Sequence, residues 1–293
     1  MKRLLFVFVL SIVFSNSIWS ISPFYKLAEK EAPLLEVENK IKEALKIAGF
    51  EILSSYKTAN NENFRVIVFT NAKLKELALS YPDRGALAVA QKVGLIHKNG
   101  KTIVSLLNPT YMFHAYFQED FEKKKNELAA ETKAIKKVFS DIDFTLTPFG
   151  GDVSADDLHD YQYMMGMPEF SDPVKLNTYD SFAEGLKTIR KNLAAKTGNT
   201  VKVYELVFPD KKIAVFGVGL LDAEKGEKKF LSIIGEDHLA AMPYEIILQD
   251  NKATMLHGRF RFALYWPELT MGTFTKIMST PGDVEDFMEA ITE

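Results

Sequence analysis

Three alternating residues form the clearest place in this sequence for chemistry. His257, Arg259 and Arg261 are spaced by Gly258 and Phe260, and Phe262 follows. Side chains two apart in a strand share a face, so a strand here carries a His-Arg-Arg row on one face and aromatic rings on the other. Guanidinium forks match phosphate, sulfate and carboxylate, and the row is read as an anion-binding site. The plainer alternative is a solvated face of an antiparallel sheet, the commoner use of such alternation. A second set, Asp152, Asp156, Asp157, His159 and Asp160, packs four carboxylates and an imidazole into nine residues. Asp152, Asp156 and His159 offer ligands to a divalent cation. Their spacing lacks the alternation, central Gly and distal Glu of a calcium loop. The competing reading is a short helix capped by Ser154, with Asp157 at its third position and the acids favouring its positive end.

Other chemistries have less support. The chain has no Cys, which excludes thiol catalysis, cysteine zinc sites and redox motifs. Neither G-x-S-x-G nor H-E-x-x-H occurs, and His97, His114 and His238 have no nucleophile motif beside them. Gly217 and Gly219 lack the third Gly and the acidic residue of a dinucleotide loop. No cofactor is implied. Met164, Met165 and Met167, with Tyr161 and Tyr163, read as an apolar patch packed between the two halves of the chain.

The elements that position these residues begin after an export signal. Lys2 and Arg3 precede an apolar run from Leu4 to Phe14 interrupted only by Ser11, and Ser15, Asn16, Ser17 and Ser20 follow. That order describes a cleaved signal peptide over residues 1–20, with cleavage expected after Ser17 or Ser20. The run is short for a membrane span, which needs about 20 residues. No later segment is apolar enough to span, so the mature chain is expected to be soluble and periplasmic or secreted. Removing Lys2 and Arg3 from 36 basic residues leaves 34 against 39 acidic ones. This mild acidity argues against a nucleic-acid partner.

The fold class expected is α+β, as two similar domains, each a mixed or antiparallel sheet backed by helices, related by a pseudo-twofold. The first spans 21–140 and the second 179–293, with an ordered connector carrying one short helix over 141–178. In the first, a helix from Pro33 to Ala48 carries Val37, Ile41, Ala44, Leu45 and Ala48 on one face. The strands FEILSSY and FRVIVFT follow, then a helix AKLKELALS, then a hairpin turning at Asn99-Gly100, then a long helix from about Thr110 to Phe139. The second half repeats this order. A helix capped by Ser181 with Glu184 is a capping box. The strands VKVYELVF and KIAVFGVGLL follow, with a helix from about Lys225, the hairpin PYEIILQDNKATMLHGRFRFALYW and a last helix from about Gly282 to Ile291.

The helix ending at Ala48-Gly49-Phe50, the strand VIVFTN running into KLKELAL, and the hairpin closing on Leu107-Asn108-Pro109 resemble the bacterial family called domain of unknown function 302. The resemblance covers roughly Leu35 to Met112. A fainter version covers Phe182 to Phe274, with Pro243 at the family's Pro. It implies a small α+β domain that often dimerises and whose biochemical role is not established. Many members carry Cys at the segments of Thr70, Gln91 or Tyr244, so any chemistry of those thiols is lost here. Ala90 also replaces the family's Pro.

The functional expectation is an exported binding or accessory protein, monomeric with an internal pseudo-dimer, whose partner is a small molecule or an envelope protein. The alternatives are an enzyme with an acid/base site in the inter-domain cleft and a structural or interaction protein of the envelope.

Overall fold

The computed structural model describes residues 20–293; the signal peptide expected over residues 1–20 lies, apart from Ser20, outside them. β1 (Ser20–Ile21) is followed by β2 (Phe24–Lys30) and α1 (Leu34–Ile47), which buries Val37, Ile41 and Leu45 along one stripe and ends at Gly49 with φ +85°. β3 (Glu51–Tyr56), β4 (Phe64–Thr70) and α2 (Ala72–Ala78) come next, with Asn71 capping α2 by accepting from Leu74 N at 2.6 Å. β5 (Gln91–Lys98) and β6 (Lys101–Leu107) form the expected hairpin. Asn99 and Gly100 both take positive φ, as its two-residue turn requires.

The expected long helix divides. α3 (Pro109–Phe117) is buried on nearly every side, whereas α4 (Lys125–Ser140) has a buried stripe and a polar face. One straight helix cannot serve both environments. The chain turns at Gln118, with φ 51° and ψ −137°, and passes through a 3₁₀ segment before α4.

The connector contributes β7 (Thr147–Phe149), which extends the first sheet beside β2, and β8 (Val153–Ser154), which pairs with β1. The expected short helix is only a turn, in which Ser154 Oγ accepts from Asp157 N at 3.0 Å. The connector ends in β9 (Val174–Thr178). The second half then runs α5 (Phe182–Ala194), β10 (Thr200–Phe208), β11 (Ile213–Leu220), α6 (Glu227–Ile234), β12 (Tyr244–Gln249) and β13 (Lys252–Met255). It closes with α7 (Gly258–Tyr265), α8 (Met271–Phe274) and α9 (Thr280–Thr292).

Both sheets are antiparallel. The first has the order β3-β4-β5-β6-β2-β7 and the second β10-β11-β12-β13-β9. Apart from β7 these orders are the same when β2 to β6 are set against β9 to β13. The irregularities correspond too. An extra residue, Leu27 in β2 and Leu176 in β9, bulges the strand before the first helix; Leu53 in β3 and Val203 in β10 bulge the strand after it. The sequence reading missed β2 and β9, whose short FYKLAEK and VKLNT segments mix charged and apolar residues.

The outer face of the first sheet packs on α1 and α4 through Leu27, Ile67, Val93, Leu95 and Val104. Its inner face joins a single apolar core with the second half. The 3₁₀ segment 236–241 lies directly on β5: a Cβ at Gly94 would come within 2.8 Å of Ala240 N, so only glycine admits this approach. Polar pairs stitch the seam. Lys92 and Glu245, each the second residue of its strand, form a buried ion pair. The hydroxyls of Tyr116 and Tyr265, each the eighth residue of its helix, lie 2.6 Å apart. Tyr111 OH donates to Leu264 O at 2.7 Å, and Glu227 accepts from Ala59 N at 2.7 Å. No helix among the described residues is long and apolar enough to cross a membrane.

Candidate functional site

The basic row does not form on a strand. β13 ends at Met255, and His257, Arg259 and Arg261 belong to the start of α7. At about 100° per residue their side chains diverge, and each has a separate role. His257 is the N-cap, its Nδ1 accepting from Arg259 N at 3.2 Å. Arg261 is 1% exposed and structural. Its Nη2 donates to Pro243 O at 2.9 Å and to Ala241 O, and its guanidinium lies 3.7 Å from the Tyr244 ring centroid. Only Arg259 remains exposed, and among the described residues its guanidinium has neither a hydrogen bond nor an ion pair.

Arg259 borders a narrow, shallow apolar groove of about 40 Å³. The connector supplies Tyr163 and Met167, α7 supplies Phe262, and Trp266 and Phe274 complete the walls. Tyr161 OH donates to Ala263 O at 3.0 Å and ties the connector to α7. Trp266 is 1% exposed, and its indole N–H has no acceptor among the described residues. The Tyr–Met patch thus packs on the second half through Tyr161, Tyr163 and Met167. Met164 and Met165 stand in solvent, the latter 95% exposed.

The candidate metal set does not assemble. Asp152 accepts from Ser22 Oγ at 2.5 Å beside a different cavity from Asp156 and His159. His159 instead meets His114, a residue 45 positions earlier on α3, with Nδ1 of His114 2.9 Å from Nε2 of His159. The rings are near-coplanar at 16° and meet end to end, since their centroid separation of 5.1 Å nearly reaches the limit set by the N···N distance plus two ring radii. Each lone pair therefore points at the other nitrogen, an arrangement that holds one proton. A metal about 2.0–2.1 Å from each nitrogen would need them spread apart. No three His, Asp or Glu among the described residues are grouped to hold a metal ion.

This pair lines a cleft of about 330 Å³ with Glu122, Lys125, Thr132 and Asp156. Burial, reinforced by His159, lowers the His114 pKa to about 4, and the ring stacks on Phe121 at 3.7 Å. His159 is half-buried and also borders a second cavity of about 300 Å³ beside Tyr81 and Asp120. Composition gave no signal for the pairing, because the fold alone brings the two histidines together.

Residues 25–141, from β2 to the end of α4, match the family model described as Domain of unknown function DUF302, and this stretch belongs to that family. The crystal structure of an uncharacterized conserved DUF302 protein from Bacillus stearothermophilus is similar to the chain at 15% identity. That alignment covers 40% of this chain and 96% of the other, with a TM-score of 0.35. No curated protein matches.

Proposed function

We propose that the chain is an exported binding protein made of two copies of this domain, closed on each other, and that its ligand is an anion held at Arg259. The observation that carries the reading is the unpaired, exposed Arg259 guanidinium at the rim of an apolar groove. Arg261, by contrast, is buried, with its Nη2 donating to carbonyl oxygens. The common strand order and matching bulges support the duplication, and the Lys2–Phe14 pattern supports export to the periplasm or exterior. Anion binding is tested by calorimetric titration with anionic and cationic ligands of one shape. Preference for the anion that disappears in Arg259→Ala supports the reading; equal binding of both by the unaltered protein rejects it. Export is tested by intact mass of protein recovered from its own compartment: a start at Ile18 or Ile21 is expected, and a retained Met1 counts against it.

A second reading, an acid/base enzyme, is favoured by the His114–His159 pair in its cleft. There His114 orients His159, whose ring faces both cavities. Its test is whether His159→Gln abolishes turnover in a screen of hydrolytic and isomerase substrates while leaving thermal stability intact.

A further inference from the structure

The His114–His159 pair holds its shared proton on one particular ring. A neutral imidazole has one N–H and one lone pair. Nδ1 of His114 lies 2.9 Å from Nε2 of His159, so one of these two nitrogens donates to the other. The far side of His114 decides which. Its Nε2 is buried and has no hydrogen-bond partner among the described residues. A buried N–H without an acceptor is rarer than an acceptor left short of a donor, so Nε2 keeps the lone pair and Nδ1–H donates to His159. His159 Nε2 then accepts, and the one N–H of that ring must lie on Nδ1. This atom has no partner among the described residues and is open to solvent, on a half-buried ring that borders both cavities. Burial keeps His114 neutral down to about pH 4, so the arrangement holds across the neutral range.

Resting on the acid/base reading of this cleft, we infer that its substrate is a small neutral carbonyl compound, such as an amide, whose oxygen accepts from His159 Nδ1–H. His159 serves there as an electrophile that polarises the carbonyl and not as a base. His114 is the positioning residue that fixes its tautomer. The lining selects against charge. Lys125 is paired with Glu122 at 2.9 Å, whereas Asp156 in the cleft and Glu119 in the adjoining cavity are exposed and have no cation partner among the described residues. A carboxylate or phosphate is repelled by these groups, and an ammonium offers His159 no acceptor. Phe121, Leu128, Ala129 and Ala155 supply the apolar part of the wall, so a compact apolar body beside the carbonyl suits the cleft of about 330 Å³.

The tautomers are read directly by long-range NMR correlation of the imidazole nitrogens in the intact protein at pH 7, with the five histidines assigned through single variants. Both His114 and His159 are expected to carry hydrogen on Nδ1. In His114→Leu the constraint is removed and His159 should change tautomer. His114→Asn, whose side-chain N–H replaces Nδ1–H, should preserve it; melting temperatures show that both variants fold. Binding is followed on the same signals with benzamide, benzoate and benzylamine, three probes of one shape. Benzamide should shift the His159 Nδ1 signal saturably and bind about tenfold more tightly than either charged probe. That advantage should be lost in His114→Leu and kept in His114→Asn. Hydrogen on Nε2 of both rings overturns the inference and leaves the acid/base reading with His159 as its base. Benzoate or benzylamine binding as tightly as benzamide, or no saturable shift with any probe, overturns it as well. If benzamide binds as expected but the unaltered protein turns over no substrate, carbonyl binding stands and the polarising role falls together with the acid/base reading.

Discussion

His238 shows what burial does to a titratable ring in this protein. It stacks on Trp266 with centroids 5.4 Å apart and meets Phe24 edge-on, and neither ring nitrogen has a hydrogen-bond partner. Desolvation lowers its pKa to about 4, as burial does for His114. The unfolded chain takes up protons near pH 6.5 that the folded state refuses until about pH 4, so each ring removes stability as the pH falls through that window. The loss is at most about 3 kcal/mol apiece. Glu227 acts in the opposite sense. Burial raises it to about 7, so its contribution is complete below the ordinary carboxylate range and is lost as the pH rises toward 7. His238→Gln should shrink the drop in melting temperature between pH 7 and pH 4.5, whatever it does to stability at pH 7. An unaltered pH dependence in thermal scans would count against this account. The same scale sets the limit of what the sequence disclosed about the site. Arg259 was singled out in the sequence, and the structure leaves it exposed. Arg261 was not legible as a buried clamp, because its partners are the carbonyls of Ala241 and Pro243, and backbone acceptors leave no trace in residue identity.

The elements most legible in the sequence were those whose local chemistry and tertiary packing agree. The Asn99-Gly100 hairpin, the capped helix α5, and the stripe of α1 all stand where spacing and caps put them. Failures occurred where packing overrode pattern. The alternation in Arg259-Phe260-Arg261-Phe262 reads as a strand, but it forms a helix because burial on nearly all sides leaves no polar face to keep a period of 3.6. The break after α3 belongs to this class. Gln118 holds φ 51° and ψ −137°, a region that suits glycine. Gln118→Gly is therefore expected to stabilise the protein by about 0.5–1 kcal/mol in denaturant titrations; a loss of stability would show that the side chain compensates for its backbone. Between elements, Lys92 and Glu245 are 1% and 4% exposed at their side chains. Lys92→Met or Glu245→Gln alone leaves a buried charge unpaired and should cost about 3–5 kcal/mol, whereas the double change to Met should recover most of that. Additive losses in the double variant would mean that the pair is not coupled.

At the scale of the whole molecule, the proposed duplication would account for the form of the seam. In a symmetric dimer, residues near the axis meet their own copies. Here Lys92 meets Glu245 and Tyr116 meets Tyr265, from corresponding positions in the fourth common strand and in the helix after the fifth. Had both halves kept Lys or both kept Glu, like charges would face each other out of water, a juxtaposition that costs several kcal/mol. On the proposed duplication, the opposite charges would favour one half against the other over a second copy of itself. The apolar core runs through this seam without interruption, taking in Val66 and Ile96 on one side and Val218 and Ile246 on the other. Unfolding either half alone would expose that shared surface and strand one member of the ion pair, so neither half should melt independently. Calorimetry of the intact protein is expected to give one transition whose calorimetric and van't Hoff enthalpies agree. The separated segments 20–172 and 173–293, which leave β9 with its own sheet, should be unstable singly and should regain structure when mixed. Two resolved transitions, or a monomeric first segment with a cooperative melt of its own, would show that the halves are independent domains and that the seam is only a contact between them.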